Sequence, residues 1–209
     1  MKTPLIFSLV LLGCSTGASA QTASPRYPAL SRTLDSLAYV DQWPMQRMMQ
    51  QLPDTAGRNL EGVQHLNFAR HQPVLEAIIR RYGYPGFREV GETSANNFWL
   101  LVQHADAHPD FQRRILQLMQ AQVKAKNASP RNYAYLTDRV ALAAGRPQEY
   151  GTQVEYTGPG IGTAHARTLR DPKNVNKRRA AMGMEPLEEY LRNSADMHRQ
   201  MNTPQPKAL

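Results

Sequence analysis

The sequence predicts a mainly α fold: a single compact multi-helix domain with one β-hairpin after residue 150. Apolar residues recur at helical spacing, beginning with Leu30, Leu34 and Leu37. Prolines stand where helices begin, as in Ser129-Pro130 and Asp171-Pro172, because the first helical position loses nothing by lacking an N–H. Strand-like alternation is confined to residues 153–156 and 164–169, which flank a turn-rich loop at 157–162.

In order along the chain, a first helix is expected over 30–41. Pro44 should interrupt or kink it, since proline removes a backbone donor and crowds the preceding turn. Met45, Met48, Met49 and Leu52 carry an apolar face onward as adaptable core filling. Residues 53–58 form a turn and a helix starts near Leu60. Pro73 reads as the first position of another segment, with Leu75, Ile78, Ile79 and Tyr82 as its buried face. Gly83 caps it, and Pro85-Gly86 turns the chain.

Ser94 reads as the N-cap of a helix reaching 104–105. Its run Phe98-Trp99-Leu100-Leu101-Val102 is apolar all round, the mark of the most buried helix. Pro109 opens a helix bearing Phe111, Ile115, Leu116 and Met119. Pro130 opens the next, which Gly145 and Pro147 stop. Asp171-Pro172 should cap and open a helix ending at Gly183, and Pro186 starts the last one. The domain is expected over 30–200, with the hairpin at about 150–169 and no internal repeat.

The N-terminus reads as an address. Lys2 precedes an apolar run at 5–12, too short to span a bilayer, and Ala18-Ser19-Ala20 supplies a signal-peptidase pattern. Residues 1–20 are therefore expected to be removed on export to the periplasm or medium. That leaves a polar lead-in at 21–29, a flexible tail at 201–209 and no transmembrane span. The alternative is a lipoprotein: Leu11-Leu12-Gly13-Cys14 is like a lipobox and would anchor the chain at Cys14. Cys14 is the only cysteine, so cleavage after Ala20 excludes disulfides, thiolate catalysis and cysteine-based zinc sites.

The net charge of +8 is uneven: sixteen basic against eight acidic side chains lie after residue 112. The densest run holds Arg167, Arg170, Lys173, Lys177, Arg178 and Arg179 against Asp171. It is either a solvated basic face or a surface for phosphate or anionic polymer. Export makes anionic lipid or wall polymer the expected partner, and not nucleic acid.

Candidate chemistry gathers in three blocks, WLLVQHAD (99–106), YAYLTDRV (133–140) and YGTQ (150–153). His104 ends the most apolar helix; with a carboxylate to orient it, a histidine acts as a general acid or base near neutral pH. The competing reading is a core histidine bonded to a backbone carbonyl. Asp106 is either that carboxylate or a cap for the helix at Pro109. Asp138 is a second catalytic candidate. Adjacent helical residues diverge by about 100°, so Asp138 and Arg139 find partners elsewhere. Arg139 is an anion clamp or a structural ion pair.

Gln103, Tyr150, Thr152 and Gln153 are the remaining ligand-binding candidates, or else a tight turn that satisfies itself. Asp41-Gln42 and Arg47, flanking Pro44, form a fourth polar cluster that could face the same place. His104 and His108 have zinc-ligand spacing, but Pro109 puts a helix junction between them and no HExxH glutamate follows, so no metal is expected. Phosphate-binding loops, dinucleotide GxGxxG and GxSxG elbows are absent, and no cofactor is expected.

These blocks, with HPDFQ (108–112), GRPQEYGTQ (145–153), DQWPMQR (41–47), RYGYPG (81–86) and NVNKRRAAMGMEPLEEYL (174–191), resemble the signature of an uncharacterised bacterial family, a domain of unknown function. The resemblance covers most of the mature length. It implies an exported or cell-associated helical domain and no known activity. Three functions follow as alternatives: a hydrolase-like enzyme built on His104, a non-catalytic binder of a small-molecule, peptide or anionic polymer ligand, or a structural and interaction module.

Overall fold

The computed structural model describes residues 24–158 and 162–202. The expected export signal at 1–20, the alternative anchor at Cys14 and the expected tail beyond residue 202 lie outside the described residues. The fold is mainly helical with one small antiparallel hairpin. The described residues divide into two compact units, one up to residue 136 and one from residue 137.

The first unit contains α1 (Pro28–Met49), α2 (Leu60–Tyr82), the short α3 (Phe87–Val90), α4 (Glu92–Gln103), α5 (Pro109–Lys124) and the start of α6 (Pro130–Ala143). Helix α4 packs against α1, α2, α3 and α5 and buries seven of its twelve residues, as its continuous apolar run requires. Around it lie Leu34, Leu75, Phe98, Leu101, Phe111, Ile115 and Met119, all withdrawn from water. Each such side chain contributes roughly 2 kcal/mol of hydrophobic stabilisation.

Two expectations about proline are corrected here. Helix α1 continues through Pro44, and α2 continues through Pro73. A proline at position 44 leaves the Val40 carbonyl without its helical N–H. The Asn67 side chain supplies the missing donor at 2.8 Å, reaching across from α2. In α2 the buried residues Gln64, Asn67, His71, Leu75 and Ile78 form one stripe across Pro73. Packing of that stripe against α1 and α4 outweighs the roughly 3 kcal/mol penalty of an interior proline.

Two smaller corrections follow. Met45 is buried, but Met49 and Leu52 are exposed, so the apolar face stops near the end of α1. Ser94 is not a cap: α4 begins at Glu92, and the Ser94 hydroxyl donates to Asp35 Oδ1 at 2.8 Å, tying α4 to α1. Helices do open at Pro109 and Pro130, and Ser129 Oγ accepts the Asn132 amide at 3.2 Å.

The second unit holds the rest of α6, strands β1 (Val154–Thr157) and β2 (Thr163–Ala166), α7 (Val175–Ala181) and α8 (Leu187–Asn202). The strands pair antiparallel, Val154 opposite Ala166 and Thr157 opposite Thr163, and α8 packs on β2. The helix expected from Asp171 begins as a 3-10 turn at Pro172–Asn174 and becomes α-helical only at Val175. Asp171 has a left-handed backbone (φ 49°), and its carboxylate accepts from the Asn174 side chain at 2.8 Å instead of capping backbone amides. Among the described residues, no helix is long and apolar enough to cross a membrane.

Candidate functional site

In the second unit, the loop after α6 is held by a carboxylate below and an arginine behind. Asp138 is wholly buried. Its Oδ1 accepts the amides of Glu149 (2.7 Å) and Tyr150 (3.0 Å), and its Oδ2 accepts the amide and hydroxyl of Thr152, both at 2.9 Å. Burial pushes the Asp138 carboxyl above its ordinary value, against the pull of the Thr152, Tyr150 and Glu149 amides. Gln148 donates to the carbonyls of Gln153 and Arg167, each at 2.9 Å, and accepts the Gln153 amide at 2.9 Å. The Tyr190 hydroxyl donates to the Thr152 carbonyl at 2.8 Å.

The basic run takes part in the same knot. Arg179 is fully buried; its guanidinium donates to the carbonyls of Tyr150 (2.8 Å) and Glu185 (2.7 Å) and lies 4.9 Å from the Tyr190 ring centre. Arg178 donates to the carbonyls of Glu149, Arg170 and Asp171, and Arg170 pairs with Glu149. Arg167, Lys173 and Lys177 are exposed. The structure therefore brings Asp138, Tyr150, Thr152 and Gln153 together, bound mainly to one another and to the loop backbone. Arg139, one residue on, is half-buried and partnered.

In the first unit, His104 stands just past the last turn of α4, and its Nδ1 lies 2.7 Å from Asp41 Oδ2. Asp41 is fully buried on α1 and also accepts the Gln42 side-chain amide at 2.7 Å. Its other oxygen stands 3.4 Å from His71 Nδ1 on α2, an attractive contact that lacks hydrogen-bond alignment. One carboxylate thus serves two histidines. Burial pushes the Asp41 carboxyl up, but the hydrogen bonds from His104 and Gln42 and the nearby His71 ring outweigh it and hold it below its ordinary value of 3.8. Phe68 lies against the His104 ring, centroids 4.6 Å apart and tilted by 33°.

The carboxylate that His104 meets is Asp41, sixty-three positions earlier. Asp106 instead accepts from Gln112 at 3.0 Å, and the same Gln112 amide reaches the carbonyls of Val102 and Gln103 at 3.2 Å. That contact closes the end of α4 and draws α5 against it. Arg47, from the fourth polar cluster, donates to the Pro53 carbonyl. Gln103 is 1% exposed, and neither of its side-chain amide atoms is bonded among the described residues; the same holds for the buried Gln64 Nε2 and Trp99 Nε1 of this unit.

His71 and Gln64 were not among the sequence candidates. The signal for them was the spacing Gln64, Asn67, His71, a polar stripe at helical intervals. Among the described residues no group of three or more His, Cys, Asp or Glu side chains is arranged to hold a metal ion.

The chain belongs to the DUF6624 family, a family of unknown function, whose model matches residues 28–200. No curated protein and no solved structure matches it.

Proposed function

We propose that Asp41 and His104 form a general acid/base site and that the protein is a hydrolase-like enzyme acting outside the cytoplasm after loss of residues 1–20. The supporting observation is the 2.7 Å contact between a fully buried carboxylate and a histidine whose side chain keeps 13% of its surface open. Asp41 accepts the Nδ1 proton and so sets the tautomer that leaves the Nε2 lone pair outward. Nε2 then takes a proton from water or a hydroxyl as it attacks, and returns it to the leaving group. This is the role the orienting carboxylate supports in histidine-based hydrolysis. Phe68 limits rotation of the ring.

His104→Gln and Asp41→Asn serve as a paired test on chromogenic esters, phosphoesters and glycosides. Turnover present in the natural protein and lost in a folded His104→Gln supports the reading. Turnover that survives in His104→Gln sinks it. N-terminal sequencing of the protein recovered from cells tests export; a first residue of Gln21 is expected.

A further inference from the structure

Residues from α1 and His71 of α2 line an open groove of about 430 Å³: Arg32, Thr33, Ser36, Leu37, Val40 and His71, with Ala29 at one end. Two polar groups along it are unusual. Arg32 is exposed and has no ion-pair partner among the described residues; Asp35, three residues on, accepts from Ser94 and Asn97 at 2.8 and 2.9 Å. His71 is 5% exposed and lines the groove, and its Nδ1 stands 3.4 Å from Asp41 Oδ1. The hydroxyls of Thr33 and Ser36 donate back to the carbonyls of Ala29 and Arg32, so they compete little for a ligand.

We propose that this groove is a binding site for a small hydroxylated organic anion, with Arg32 as its charge partner and His71 Nε2 as the acceptor for its hydroxyl. The chemistry follows from the two nitrogens of His71. The nearby Asp41 carboxylate, 3.4 Å from Nδ1, favours the tautomer with its proton on that nitrogen; Nε2 then carries a lone pair and favours an O–H donor over an anionic oxygen. The planar guanidinium of Arg32 takes the anion, carboxylate or phosphate, in two places. Leu37 and Val40, the latter 44% exposed, give the carbon skeleton an apolar wall. A ligand with only one of the two polar groups leaves the other site group unused. The reading concerns binding and not turnover at His104, so the two proposals fail separately.

The test is amide chemical-shift titration of the full mature chain with 2-hydroxyhexanoate, glycerol 3-phosphate, hexanoate and 1,2-hexanediol. The hydroxy acid or the hydroxylated phosphate should shift groove amides more strongly than hexanoate or the diol, and whichever of the two binds more tightly identifies the anion. Arg32→Gln, an exposed change, should weaken that ligand about tenfold and leave the diol unaffected. His71→Gln should reduce the hydroxy acid to the level of hexanoate. Equal affinity in Arg32→Gln, or no shift at residues 32–40 and 71 with either anion, overturns the proposal.

Discussion

Replacing Asp138 by Asn changes one atom and tests whether the YGTQ loop is architecture. Both carboxylate oxygens face donors: Glu149 N and Tyr150 N on one side, Thr152 N and Oγ1 on the other. Whichever way the Asn amide turns, its NH₂ meets at least one backbone N–H with no acceptor between them. A charge-assisted hydrogen bond is worth about 1.5–3 kcal/mol, and a buried donor left unbonded costs a further 1–3 or so. Against this, the neutral amide escapes the desolvation that pushes the Asp138 carboxyl up. The net loss should be about 3 kcal/mol, a fall in Tm of roughly 6–12 °C for a chain of this size. Urea unfolding and thermal melts followed by circular dichroism read it directly. Thr152→Val sets the scale, since losing one hydroxyl should cost only about 1 kcal/mol. An Asp138→Asn protein within about 0.5 kcal/mol of the natural one would refute the structural role. If that variant also lost binding or turnover, Asp138 would return to the functional site.

Two glycines should rank by the room around them. A Cβ at Gly86 would lie 2.4 Å from the Asn127 carbonyl oxygen, which holds the Phe87 amide, so Gly86→Ala should cost about 3 kcal/mol. At Gly151 (φ 73°) the near atom is the tip of Leu187, which can turn aside, leaving a backbone penalty of about 1–2 kcal/mol. The reverse order in urea titrations would contradict this reading. Acid unfolding should show the depressed carboxyls. Asp41 lies below 3.8, and the Arg58 guanidinium holds Asp54 down at about 2. Each stabilises the fold fully above pH 3.8 and loses that contribution as pH falls through its folded value. The stability gap between the natural protein and Asp54→Asn should therefore close between pH 3.8 and about 2; a gap constant over that range would count against it.

Much of the fold could be read locally. Helix starts at Pro109 and Pro130, the stop at Gly145 (φ 68°) and the hairpin around residue 160 all rest on preferences that act over one or two turns. The errors at Pro44 and Pro73 share one cause. A proline's local cost was visible, whereas the Asn67 amide that rescues the Val40 carbonyl comes from another helix. Arg179 shows the same limit for charge: within a run of basic residues nothing distinguishes it from Arg167, yet one is fully buried on carbonyls and the other is exposed.

For the candidate site, the sequence by itself determined which chemistries were open. It placed His104 at the end of a buried helix, put Asp41-Gln42 among the polar clusters, and offered no thiol after residue 20. Only the tertiary structure decided the partners. Asp41 meets His104 because α1 packs on α4, and His71 joins them because α2 packs on both. Side-chain pairing over such separations depends on how helices cross, and helix crossing is set by the packing of the whole apolar interface rather than by any residue near the site.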